Sequence, residues 1–134
     1  MRYLGLDLGT KTLGLAISNG MIATSLKTIH FNDLKEAIDK LEKVIIEEKI
    51  DLLVLGLPKN MNNTIGPRAE ATIEFKKMLE KLNYQVVLQD ERLSTVSAHN
   101  YMIEADLSRK KRKEKVDSLA ATIILQAYLD KKGK

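Results

Sequence analysis

No cysteine occurs among the 134 residues. That absence excludes disulfides, thiol catalysis and thiolate metal sites together. It suits a reducing compartment, and the expectation is a cytoplasmic protein. Aromatic residues make up only 4% of the chain, so extensive stacking of bases on aromatic rings is not the expected mode of recognition. No apolar run approaches the roughly 18 residues needed to cross a bilayer, and no membrane partner is expected. The opening Met1-Arg2-Tyr3-Leu4-Gly5-Leu6-Asp7 carries charge at once and offers no small-residue cleavage site. It therefore does not read as a secretory leader.

Apolar residues make up 44% of the chain, enough for one continuous core, and the length fits one domain spanning residues 1–134. The net charge of +4 is unevenly spread. Residues 109–115 read Arg-Lys-Lys-Arg-Lys-Glu-Lys, and the remainder holds 16 basic against 17 acidic residues. One segment thus carries the whole basic excess. It reads either as a solvated loop or as a contact to a phosphate backbone.

Residues 2–8, 13–18 and 22–29 read as three strands joined by short turns, an antiparallel meander, with Asn19-Gly20 a strong turn signal. Asp33 with Glu36 resembles a capping box. Leu34, Ala37, Ile38, Leu41, Val44 and Ile45 then recur at helical spacing, which predicts a helix to about Lys49. Leu52 to Leu57 is a continuous apolar run of the kind buried on both faces of a parallel sheet. A polar loop over 58–68 precedes a helix from about Arg68 to Leu82. Gln85 to Gln89 is a short strand, and Ser94 is an N-cap for a helix over about 95–105. A last helix is expected from about Lys115 to Lys131. Strands followed by strand–helix alternation imply an α/β domain, a mixed sheet covered by helices.

Asp7 interrupts a strand that otherwise wants burial. A buried carboxylate must meet a cation, a donor or water, so Asp7 is either a turn carboxylate or a ligand. Asp90-Glu91-Arg92 directly follows the last apolar strand, at the strand end where open α/β sheets place their sites. Glu91 could ligate a metal and Arg92 a phosphate oxygen; the plainer alternative is a surface ion pair. Asp117 is expected in the first turn of the last helix, where acids favour the dipole. It heads a stripe of Ala120, Ala121, Ile124 and Tyr128, and small alanines there let a helix approach a sheet closely. Taken together, Asp7, Glu91 and Asp117 form an oxygen-donor set suited to Mg²⁺ or Mn²⁺. Two such ions could serve phosphodiester hydrolysis. Lys11, Lys59, Arg68, Arg92 and the run Arg109, Lys110, Lys111, Arg112, Lys113 are the candidate nucleic-acid contacts.

The residues also carry a family resemblance. Gly5-Leu6-Asp7-Leu8-Gly9-Thr10-Lys11 with Gly14-Leu15-Ala16-Ile17-Ser18 resembles the opening motif of the YqgF (RuvX) family. Gly56-Leu57-Pro58 through Met61 to Gly66-Pro67 and Ala69-Glu70 resembles its second motif, and Asp90-Glu91-Arg92-Leu93-Ser94-Thr95 its third. Lys110-Lys111-Arg112-Lys113 with Asp117, Ala120-Ala121, Ile124-Leu125-Gln126 and Leu129-Asp130 resembles its fourth. The match covers almost the whole chain. It implies a ribonuclease H-like fold, a five-stranded mixed sheet flanked by helices on both faces, related to RuvC Holliday-junction resolvases. It also implies a nuclease role in maturing the 5′ end of pre-16S ribosomal RNA, with the family's acids falling on Asp7, Glu91 and Asp117. Asn19 departs from the family pattern, which has an aspartate there, and Asn62-Asn63 stands where the pattern is nearer Asp-Gly. Neither departure removes a carboxylate of the triad.

In such a fold the last strand lies two strands from the first, roughly 10 Å away. Glu91 must then lean toward Asp7; otherwise Asp90 or a water-bridged ligand replaces it. The partners expected are structured precursor rRNA or branched DNA, bound by a monomer or a weak homodimer. A junction resolvase and a binding module without activity are the alternatives. The retention of all three acids argues against the second.

Overall fold

A computed structural model describes residues 1–57, 67–90 and 109–132, the side chains at 67, 68, 90 and 109–118 excepted. Three strands open the chain: β1 (Tyr3–Leu8), β2 (Thr12–Ser18) and β3 (Thr24–His30). They form the expected antiparallel meander, with Asp7 paired to Gly14 and Leu8 to Leu13 across the first turn. Gly20, at φ 119°, takes the positive-φ position of the second turn.

Helix α1 (Leu34–Glu48) begins as its sequence predicts. Glu36 N–H donates to Asp33 Oδ1 at 2.8 Å, and Asn32 N–H donates to Glu36 Oε1 at 2.7 Å. The reciprocal half of the box thus engages the residue before the cap. The helix ends at Lys49 in the left-handed conformation, φ 53°, a position glycine usually takes. Strand β4 (Leu52–Leu57) is buried along its entire length, as its unbroken apolar run requires. Helix α2 (Pro67–Lys81) starts on a proline, whose missing N–H costs nothing at a first helical position. Strand β5 (Val86–Asp90) follows, and α3 (Arg109–Lys132) closes the described chain. The helix expected over 95–105 lies outside the described residues.

The five strands lie in the order β3-β2-β1-β4-β5. β1–β4 and β4–β5 are parallel, and the other pairs are antiparallel. One face of the sheet, with Leu4, Leu6, Leu13, Leu15, Leu53 and Leu55, packs against Leu41, Val44 and Ile45 of α1 and Phe75 and Leu79 of α2. The other, with Tyr3, Ala16 and Val54, packs against Ala121, Ile124, Leu125 and Leu129 of α3. Each fully buried leucine side chain contributes on the order of 1.5–3 kcal/mol of transfer free energy to these two cores. Helices thus cover both faces, as expected. Among the described residues no helix is long and apolar enough to cross a membrane.

One expectation is corrected. The last helix begins at Arg109, not near Lys115. The basic run is therefore helical and not a solvated loop. Lysine, arginine and glutamate are strong helix formers.

Candidate active site

Strand alternation decides where Asp7 goes. Tyr3 belongs to the α3 face and Leu4, Leu6 and Leu8 to the opposite one, so Gly5 and Asp7 share the face of Tyr3. Gly5 confirms this. A Cβ built on it would lie 2.8 Å from both the Ala121 carbonyl oxygen and Leu125 Cβ. Asp7 is 7% exposed, the one buried charged residue among those described. Immediately after β1 the chain reverses tightly, with Gly9 N–H donating to the Thr12 carbonyl at 2.7 Å. Thr10 and Lys11 stand exposed in that turn. Phe31 N–H donates to the Lys11 carbonyl at 3.0 Å, which ties the turn to the segment entering α1.

Helix α3 runs antiparallel to β1, and contacts at two levels set its register. The Tyr3 ring lies 6.2 Å from that of Tyr128 and 4.8 Å from Lys132 Nζ. The Lys132 ammonium also donates to the Tyr3 hydroxyl, a hydrogen bond that raises its pKa above the ordinary lysine value. Gly5 meets Ala121 and Leu125. Two strand residues advance about 6–7 Å, which equals about four to five helical residues at 1.5 Å each. Moving from Gly5 to Asp7 therefore shifts the facing helix level from Ala121 and Leu125 to the turn holding Asp117. Gln126 holds the helix laterally: its Oε1 accepts from Ala23 N–H at 2.9 Å and its Nε2 donates to the Met21 carbonyl at 3.2 Å.

Asp117 is the ninth residue of α3 and not part of its first turn, as expected from the sequence. The helix dipole acts within the first turn, so it does not account for an acid at this position. On the backbone, Asp117 stands one turn before Ala121 on the stripe that meets β1.

β4 separates β1 from β5, which is the two-strand spacing expected. Leu6, Leu55 and Leu88 lie in register across the three strands, and Asp90 pairs with Leu57 at the end of β5. Asp90 occupies the same pleat as Val86, on the α1–α2 side, whereas Val87 shares the α3 side. Glu91, Arg92 and Lys59 lie outside the described residues. Arg68 is in the first turn of α2, and Arg109, Lys110, Lys111, Arg112 and Lys113 are the first residues of α3. Among the described residues no three histidine, aspartate or glutamate side chains form a metal-holding group. The close approach of α3 to the sheet at the alanine pair is as expected from the sequence, whereas the part of Gly5 in it was not read there.

Comparison with known proteins adds three findings. A family model described as RuvX, Holliday junction resolvase, matches residues 1–131. A protein of Geobacillus sp. (strain WCH70) named "Putative pre-16S rRNA nuclease" is 50% identical over 98% of this chain and 99% of its own length. A protein of the same name from Clostridium tetani (strain Massachusetts / E88) is 52% identical over 97% of this chain and 96% of its own. Among solved structures, the fowlpox virus Holliday junction resolvase superposes with a TM-score of 0.59 at 15% identity, covering 98% of this chain and 99% of that one. Thermus thermophilus RuvC in complex with a Holliday junction substrate superposes with a TM-score of 0.58 at 12% identity, covering 100% and 97%. At these identities the likeness shows the fold, and it bears out the ribonuclease H-like arrangement.

Proposed function

The chain belongs to the RuvX family, and from that premise we propose that it is a nuclease that hydrolyses phosphodiester bonds in 5′-end processing of pre-16S ribosomal RNA. The full-length relatives that carry the name of such a nuclease support the reading. The observation that carries it is the buried carboxylate of Asp7, two residues after the Gly5 on which α3 is seated.

The site is assigned to Asp7, Asp117 and Glu91. The donor set fits a hard divalent ion: it is all oxygen, and Asp7 is a carboxylate kept in an otherwise apolar strand, where a cation offsets the cost of burial. Mg²⁺ or Mn²⁺ would be held by these three carboxylates. The chemistry such ions supply when bound is Lewis-acid polarisation of the phosphodiester. Asp90 is the weaker candidate for the third ligand, because its pleat is that of Val86, opposite to Asp7. Glu91, one residue later, is the assigned third ligand.

The chain's own residues otherwise bind and orient the substrate. The first two turns of α3 extend past the C-terminal end of β1, since the helix level facing Leu8 is already near residue 116. Arg109, Lys110, Lys111, Arg112 and Lys113 therefore form a cationic arm beside the site, suited to the backbone of structured RNA. Lys11, in the turn after β1, and Arg68, opening α2, stand at the same end of the sheet, and Lys59 and Arg92 complete the assigned contacts. One domain over residues 1–134, acting in the cytoplasm as a monomer or weak homodimer, carries the activity.

The test is a cleavage assay on precursor rRNA and on a four-way DNA junction, with Mg²⁺ or Mn²⁺, for the wild type and Asp7→Asn. Ion-dependent cutting of the RNA that the substitution abolishes is the expected result. Cutting of the junction alone would support the second reading, a Holliday junction resolvase, which the family's description favours. Equal cutting by both proteins would reject the role of Asp7, and cutting by neither would leave a nucleic-acid-binding module.

A further inference from the structure

A cleft of about 380 Å³ opens at the C-terminal end of β1, on the sheet face opposite Asp7. Among the described residues its lining is apolar at Leu8, Phe31, Leu34 and Ala71 and polar at Thr10, Asn32 and Asp33, with Gly9 beside Thr10. Leu8 follows Asp7 directly in β1, so the cleft begins one residue from the candidate active site, across the strand's edge.

The rim chemistry selects the kind of occupant. The cleft adjoins the N-terminus of α1, yet that terminus is no phosphate site. Asp33 Oδ1 takes the Glu36 N–H, and Glu36 Oε1 takes the Asn32 N–H. Two carboxylates already satisfy those donors and oppose the positive end of the dipole, so a further anion is repelled. The second carboxylate oxygen of Asp33 and the Asn32 carboxamide carry no partner among the described residues. A neutral, flat group with apolar faces and N–H donors on its edge fits. The volume lies at the small end of ligand pockets and suits a ring system better than a whole nucleotide.

We propose that the cleft receives one nucleobase of the substrate strand beside the scissile phosphate, and that Asp33 selects an edge bearing an exocyclic amino group. A carboxylate accepts from the cytosine N4 amino group and finds no donor at the O4 of uracil. This inference rests on the nuclease reading above. It adds a base preference that a metal site and a cationic arm alone do not produce.

The test is fluorescence anisotropy with short oligocytidylate and oligouridylate of equal length, in Ca²⁺ buffer. Equal length makes the electrostatic contribution common to both. The wild type is expected to bind the cytidylate about 5–10-fold more tightly, the size of a directional contact to a base edge. Asp33→Asn preserves the helix cap, because asparagine caps as well as aspartate, but it exchanges an acceptor for a donor. It should erase or reverse the preference. Ala71→Leu, at an exposed position of α2, fills the cleft and should bring the two affinities together. Thermal melts of both variants confirm folding.

Equal wild-type affinities alongside intact rRNA cleavage overturn the base cleft and leave the nuclease reading standing. A cytidylate preference that survives unchanged in Asp33→Asn also overturns it. Binding of neither oligonucleotide, together with no cleavage, overturns both proposals.

Discussion

Gly5 of β1 and Ala121 of α3 approach so closely that a Cβ on the glycine would sit 2.8 Å from the alanine carbonyl oxygen. The second neighbour, Leu125 Cβ at 2.8 Å, is equally fixed. Neither is the far end of a flexible side chain, so any side chain at position 5 must lift the helix. That helix carries Asp117, and the strand carries Asp7. Gly5→Ala is expected to destabilise the fold by about 1–3 kcal/mol through overpacking. It should also lower kcat in the fraction that remains folded. A melting curve and a rate measured well below the midpoint check both effects, and no change in either would mean that α3 does not set the site's spacing.

Asp7→Asn separates stability from activity. The wild-type carboxylate is 7% exposed, and the proposed ligand role gives it a cation to hold. With Mg²⁺ the wild type should gain stability with the logarithm of ion concentration once the ion exceeds its Kd, and the variant should gain little. Cleavage should fall by more than the roughly 10–100-fold typical of residues behind a metal ligand. An identical response of both proteins to Mg²⁺ would remove Asp7 from the ligand set.

Tyr84 ties the segment between α2 and β5 to α1, donating its hydroxyl to Glu42 Oε2 at 2.8 Å. Burial, and then the hydrogen bond and charge of Glu42, raise its pKa above the ordinary 10.0. The folded state therefore holds this proton more tightly than the unfolded chain. The contribution is fully present below pH 10.0 and is lost as pH rises through the folded-state value. Tyr84→Phe should cost about 0.5–1.5 kcal/mol near neutrality. The gap between variant and wild type should close in alkaline solution. Urea titrations at neutral and alkaline pH measure it, and a gap independent of pH would show that the pair contributes nothing through this proton.

Local chemistry made part of the molecule readable in its sequence. Asp33 and Glu36 announce the start of α1, and the unbroken run Leu52–Leu57 announces a strand buried on both faces. Asp7 declared itself because a carboxylate in an apolar strand needs a reason. Other features depend on contacts distant in sequence. The start of α3 was hidden because Arg109 to Lys115 has no apolar stripe, and charge there resembles a solvated loop. Lys49 ends α1 without the expected glycine, held by backbone bonds to Ile45 and Ile46. The cleft was invisible for a related reason: Asn32 and Asp33 read fully as a helix cap, and Ala71 reaches them only through tertiary packing.

The helical form of the basic run allows its cations to be told apart. On α3, Lys113 and Lys110 stand four and seven residues before Asp117 and share its stripe, whereas Lys111 and Lys115 fall on the opposite side. The stripe of Asp117 meets β1 at Ala121, so its continuation past the end of the strand lies over the site. Replacing Lys110 and Lys113 with alanine should weaken RNA binding and reduce the slope of log affinity against log salt by about 0.7–0.9 per lysine. The same change at Lys111 and Lys115 should alter the slope less. Alanine keeps the helix, being its best former, so circular dichroism should not distinguish the two double variants. Equal losses from both pairs would mean that the arm acts only through its total charge, with no defined face toward the substrate.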